Sequence, residues 1–133
     1  MKKIVIIAAV LFISANNVFA QESTAKSKTF MQITTIESVV NGGLGRSKMI
    51  ITNPDGTQTE SNLENLFSMV GINFGNIKQN EDKIVRTLKT YTDSGWAIDK
   101  VTSFTLSPTD NGMGIFMTRY LLSKEDKSST AKQ

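Results

Sequence analysis

The chain contains no cysteine and no histidine in its 133 residues. Without cysteine, no disulfide constrains the unfolded ensemble, and stability must come from one modest core. Cys nucleophiles, His-based triads and zinc sites of the Cys/His type are excluded by composition. There are two prolines and one tryptophan. Pro54 and Pro108 both fall among turn residues, in Asn53-Pro54-Asp55-Gly56 and in the stretch from Ser107 to Gly114. No long apolar run is present: the one from Ile4 to Ile13 is shorter than the ~20 residues a membrane-spanning helix needs.

That run follows Lys2 and Lys3 and leads to Val18-Phe19-Ala20, the pattern of an export signal cut before Gln21. The expected organisation is a signal over 1–20, a polar leader over 21–28, one domain over 29–122 and a charged tail over 123–133. The expected location is the periplasm or the extracellular medium. Gln21 at the first mature position excludes lipidation through cysteine there. Removing Lys2 and Lys3 lowers the net charge from +3 to +1. So small a charge argues against long-range attraction to nucleic acid or anionic lipid.

Alternating residues from Phe30 to Val40 predict an inner strand apolar on parts of both faces. Arg46–Thr52 reads as a second strand antiparallel to it, and Thr57–Glu60 as a brief third. Ser61, with Glu64 three residues on, has the form of a capping box and predicts a short helix to Val70, with Asn62 as the competing cap. Ile72, Phe74 and Ile77 follow in a stretch interrupted by Gly71 and Gly75. Such a stretch either seals the core or offers a recognition surface, with Phe74 expected inside and Ile72 at an edge. Asn80, followed by Glu81 and Asp82, predicts the start of the main helix. Ile84, Leu88 and Tyr91 form its apolar stripe, and Gly95 suits a left-handed cap. Trp96 then opens a strand whose register breaks, which a bulge near Thr102 would reconcile. Ile115–Leu122 is a strand with two partly apolar faces.

The pattern Leu88-x-x-Tyr91-x-x-x-Gly95-Trp96-x-Ile98-x-x-Val101, followed by Arg119-Tyr120-Leu121-Leu122-x-Lys124, resembles the domain-of-unknown-function family numbered 4177. The resemblance covers about the C-terminal third and implies a compact α+β fold. It carries over no catalytic residue. The stretches Gly42–Ser47 and Phe67–Ile77 are similar to segments of small secreted bacterial proteins of unknown function. The fold expected from the whole chain is α+β: a small antiparallel sheet of four or five strands, one main helix on one face and a second short helix.

The chemistry is thin. Asp93, Asp99 and Asp110 are better read as a helix end, a strand surface and a turn than as a hydrolase centre. Asn53, Asp55, Thr57 and Thr59 alternate like a calcium loop, with Glu64 twelfth from Asn53, but position six is Gln58 rather than glycine. No metal or cofactor is expected. Gly42-Gly43-Leu44-Gly45-Arg46-Ser47-Lys48 has glycines without the order of a phosphate loop, leaving a pliable hairpin connection or a loose anion site at Arg46 and Lys48. Trp96 and Tyr91 read as core anchors before they read as a ligand platform. Scattered lysines without exposed aromatics speak against single-strand nucleic-acid binding. The leading expectation is a non-enzymatic exported domain that binds a protein, an envelope component or a second copy, with Ile72, Phe74 and Ile77 as the contact. The alternative is a small-molecule or anion-binding domain using the Gly42–Lys48 loop and the Gly71–Ile77 segment.

Overall fold

The computed structural model describes residues 27–40, 47–106 and 114–126. In chain order these give β1 (Lys28–Ser38), β2 (Lys48–Thr52), β3 (Gln58–Asn62), β4 (Phe67–Ser68), β5 (Gly71–Ile72), α1 (Phe74–Asp93), β6 (Ala97–Leu106) and β7 (Ile115–Glu125). Five strands form one sheet in the order β3-β2-β1-β7-β6, each pair antiparallel. β4 and β5 form a separate two-stranded ribbon. The expected signal over 1–20, the Gly-rich connection over 41–46 and the turn over 107–113 lie outside the described residues.

The core lies between α1 and one face of the sheet. Met31 and Ile33 of β1, Met49 of β2, Leu122 of β7, Ile84 of α1 and Leu63 are buried together. Ile51, Leu88, Tyr91, Trp96 and Tyr120 pack against them. The strand members are cross-strand neighbours: Ile33 pairs with both Ile51 and Tyr120, and Met31 with Leu122. Burying each large aliphatic contributes about 1.5–3 kcal/mol. The helix stripe Ile84, Leu88, Tyr91 meets this face as its periodicity dictates.

Four expectations are corrected. First, the described residues contain one helix and not two, and the sheet has a small companion ribbon. Ser61 and Asn62 do not cap a helix; they end β3, opposite Met49 and Lys48. Ladder pairing with β2 overrides a local capping preference worth about 1 kcal/mol. Second, α1 begins at Phe74, and its cap is Asn73, whose side chain accepts from the Asn76 amide at 3.2 Å. Gly75 lies within the first turn and breaks nothing. Third, β7 runs through Ser123, which is buried, to Glu125, so the strand extends into the stretch assigned to the tail. Fourth, a bulge does reset the β6 register, but at Asp99, between Ile98 and Lys100. Gly95 caps the helix with φ +87, and Lys124 Cε lies 3.6 Å from where a Cβ would stand.

No described element covers the other face of the sheet. The register places Gln58, Thr52, Gln32, Leu121 and Lys100 in one row across it, and Glu60, Ile50, Thr34, Arg119 and Thr102 in the next. A third row holds Asn62, Lys48, Ile36, Met117 and Phe104.

Candidate functional site

The three most exposed large apolar side chains, Val70, Met69 and Phe74, gather with Ile72 at the β4–β5 ribbon and the start of α1. Met69 is 88% exposed, Val70 98%, Ile72 54% and Phe74 68%. Phe74 is therefore outside, against the expectation that it is core. Phe74 is the first residue of α1, ahead of the buried stripe that begins at Asn80 and Ile84. Ile77 is half-buried one turn on, its amide donating to the Asn73 carbonyl at 3.1 Å.

The ribbon is held by a hydrogen-bonded frame. Ser68 Oγ donates to the Gly71 carbonyl at 3.1 Å, and Gly71, with φ +123, takes a conformation open to glycine. The Asn73 amide donates to Leu66 O at 2.8 Å, and Asn76 Nδ2 to Asn65 O at 2.7 Å. The Leu66 amide in turn donates to Ser38 O at 3.2 Å, tying the frame to β1. Short β-turns ordinarily carry Asn, Asp or Gly at their centre. Met69 and Val70 break that rule at the point of greatest exposure.

Beneath the frame lies Asn80, 2% exposed inside α1. Its Oδ1 accepts from the Glu64 amide at 2.7 Å, while Nδ2 donates to Glu64 O at 2.8 Å and to Glu37 Oε1 at 2.9 Å. Burial pushes the Glu37 carboxyl above its ordinary range; the Asn80 hydrogen bond opposes this and the Glu81 charge adds to it. Desolvation likewise raises the Tyr120 hydroxyl, helped by Glu81 and Glu37. The pattern Asn80-Glu81-Asp82 predicts a cap, but Asn80 lies within α1, whose cap is Asn73. The signal that would have found the role of Asn80 is a lone amide in line with Ile84, at the i−4 position of the buried stripe.

The other expected site residues are dispersed. Arg46 lies outside the described residues. Lys48 sits on the uncovered sheet face in an ion pair with Glu60 at 3.6 Å. Its neighbour Ser47 is buried, with its hydroxyl accepting from the Ser38 amide at 2.9 Å and donating to Asn65 at 3.2 Å. Asp93 pairs with Lys89 at 2.8 Å and Asp99 with Lys28 at 3.6 Å, while Asp110 lies outside the described residues. The oxygens of the calcium-like loop serve its own turn. Asp55 Oδ1 accepts from the Thr57 amide at 2.9 Å and the Thr57 hydroxyl at 2.6 Å, and these bonds hold its carboxyl below the usual range. Among the described residues no group of three or more His, Cys, Asp or Glu side chains could hold a metal ion.

Trp96 is half-buried against the core, with Lys124 Nζ 5.9 Å from its ring centre. A groove of about 690 Å³ runs nearby, lined by Lys28, Asp93, Asp99 and Lys124 among others. Its cations are occupied: Lys28 pairs with Asp99, and Lys124 Nζ donates to Ser94 O at 2.8 Å. No family model matches the chain, and neither does any curated protein or solved structure.

Proposed function

We propose that the chain is an exported, non-enzymatic binding domain whose contact surface is the ribbon tip and the first turn of α1. The observation that carries this reading is the exposure of Met69, Val70, Ile72 and Phe74 on a frame fixed by side-chain and backbone hydrogen bonds. Four large apolar groups held in water favour a partner that covers them. A protein or another envelope component fits this surface better than a small molecule, because Met69 and Val70 stand almost fully in solvent, whereas a small ligand is bound by side chains that enclose it. The segment Asn65–Asn80 carries Lys78 and no acidic residue, so the contact is apolar with little charge steering.

The test pairs stability with retention. Ile72→Ser and Phe74→Ser should each leave the denaturant melt within about 1 kcal/mol, as for exposed positions. The same variants should lose self-association, or retention of a defined envelope fraction, that the wild-type chain shows. A wild-type chain that is monomeric and retains nothing refutes the reading. So does unfolding of both variants. Export is checked by the intact mass of the secreted product, which should begin at Gln21.

A further inference from the structure

A second surface lies on the uncovered sheet face. Lys100 stands opposite Leu121, and Thr102 opposite Arg119, across the β6–β7 ladder. Lys100 and Arg119 are therefore diagonal neighbours on one face, at a spacing of about 7–8 Å. Gln32, on the far side of Leu121, completes the row. These five residues line a shallow depression of about 230 Å³ containing two cations, an amide, a hydroxyl and no acid.

Neither cation has an ion-pair partner among the described residues. The ion pairs among the described residues join Lys28 to Asp99, Lys48 to Glu60, Arg86 to Asp82 and Lys89 to Asp93. Arg119 instead lies over the Phe104 ring, its guanidinium carbon 5.9 Å from the centroid. That contact limits where the guanidinium points. Two like charges at diagonal strand positions repel, and an oxyanion between them turns repulsion into two charge-assisted hydrogen bonds. Apolar surface borders the depression on both sides: Phe104, Leu106 and Phe30 are exposed, and Met117 and Leu121 half-exposed. An inorganic anion would leave these groups in water, whereas an alkyl tail would cover them.

We propose that Lys100 and Arg119, with Gln32 and Thr102, form a site for an amphiphilic oxyanion: a carboxylate or phosphate-ester head with its tail lying along Phe104 and Leu106. The site is separate from the ribbon tip and does not depend on it. Ligand that binds only the folded chain raises its melting temperature by mass action.

The experiment is a thermal melt and calorimetric titration of the full chain with octyl phosphate, octanoate and inorganic phosphate, beside flotation with phosphatidylglycerol vesicles. Octyl phosphate below its micellar concentration should raise the melting temperature by several degrees and bind at least tenfold more tightly than inorganic phosphate. The double variant Lys100→Gln/Arg119→Gln should melt at or above the wild-type temperature without ligand, because the repulsion is gone, and should lose the ligand shift. Lys100→Glu, which places an acid beside Arg119, is the second variant; it should fold and lose binding as well. Flotation abolished by these variants makes the source a bilayer headgroup. An octyl phosphate shift without flotation makes it a free amphiphile. Ile72→Ser and Phe74→Ser should keep the shift, so failure at the ribbon tip is distinguishable from failure here. The proposal is overturned if octyl phosphate gives no shift, if inorganic phosphate matches it, or if the variants keep it.

Discussion

Replacing Asn80 by alanine is the sharpest probe of this fold. The amide makes three hydrogen bonds with the Glu64 backbone and the Glu37 carboxylate from a position that is 2% exposed. Each bond contributes about 1 kcal/mol net, and a backbone group left unsatisfied by truncation adds about 1–3 kcal/mol. Together these predict a loss of about 3–5 kcal/mol for Asn80→Ala, a large fraction of the 5–15 kcal/mol a domain of ordinary stability has. Urea melts at neutral pH, compared at equal m-value, measure it. Asn80→Asp sharpens the case. It keeps an acceptor for the Glu64 amide but turns a carboxylate oxygen toward the Glu64 carbonyl and the Glu37 carboxylate. It should be less stable than Asn80→Ala at neutral pH and recover on acidification, as the paired carboxyls take up a proton. A loss below about 1 kcal/mol for Asn80→Ala, or a pH-independent deficit for Asn80→Asp, would refute the assignment of Asn80 as the bolt between α1, β1 and the 63–66 connection.

Trp96→Ala should cost about 2 kcal/mol in the same assay, because the ring is only half-buried and a fully buried aromatic costs about 3–5 kcal/mol. The Glu37 carboxyl lies above its ordinary value of 4.5, so folding favours its protonated form. Its contribution to stability is complete below the unfolded pKa and is lost as pH rises through the higher folded value. The difference in melting temperature between wild type and Glu37→Gln should therefore move in favour of the variant as pH rises from about 4 to 7; a difference independent of pH contradicts this. Gly71→Ala, forced to adopt φ +123, should weaken the ribbon although space for its Cβ is open, read as faster amide exchange at Met69 and Val70 with little change in the global melt.

The regular elements were legible where a period ran long enough. The stripe Ile84, Leu88, Tyr91 and the cap at Gly95 appear where the spacing placed them. β1 is the middle strand of the sheet, as its two partly apolar faces implied. The largest failures lie between residues 61 and 80. Ser61-Asn62 and Asn80-Glu81-Asp82 both carry the chemistry of a helix start, yet Ser61 and Asn62 pair in a strand and Asn80 is buried in mid-helix. Local capping preferences of about 1 kcal/mol are outweighed by a ladder or a buried amide network. Gly75 suggested a break, although glycine in the first turn of a capped helix costs only about 1 kcal/mol. The cation pair at Lys100 and Arg119 was invisible because nineteen positions separate them in the chain and only the β6–β7 register, shifted by the bulge at Asp99, brings them together.

The strand order also governs when this fold can form. β1 and β7, the first and last strands described, are neighbours along their full length, from Lys28 opposite Glu125 to Ser38 opposite Ile115. The Asp126 amide closes the ladder on Ser27 O at 3.0 Å. Before β7 arrives, β1, β2 and β3 form a meander whose Met31 and Ile33 lack Leu122 and Tyr120. Closing so distant a contact is entropically costly, and folds dominated by such contacts form slowly. A chain threaded through a narrow pore from its N-terminus thus has no more of the sheet than the β1–β3 meander until Ile115–Glu125 has emerged and can pair with β1.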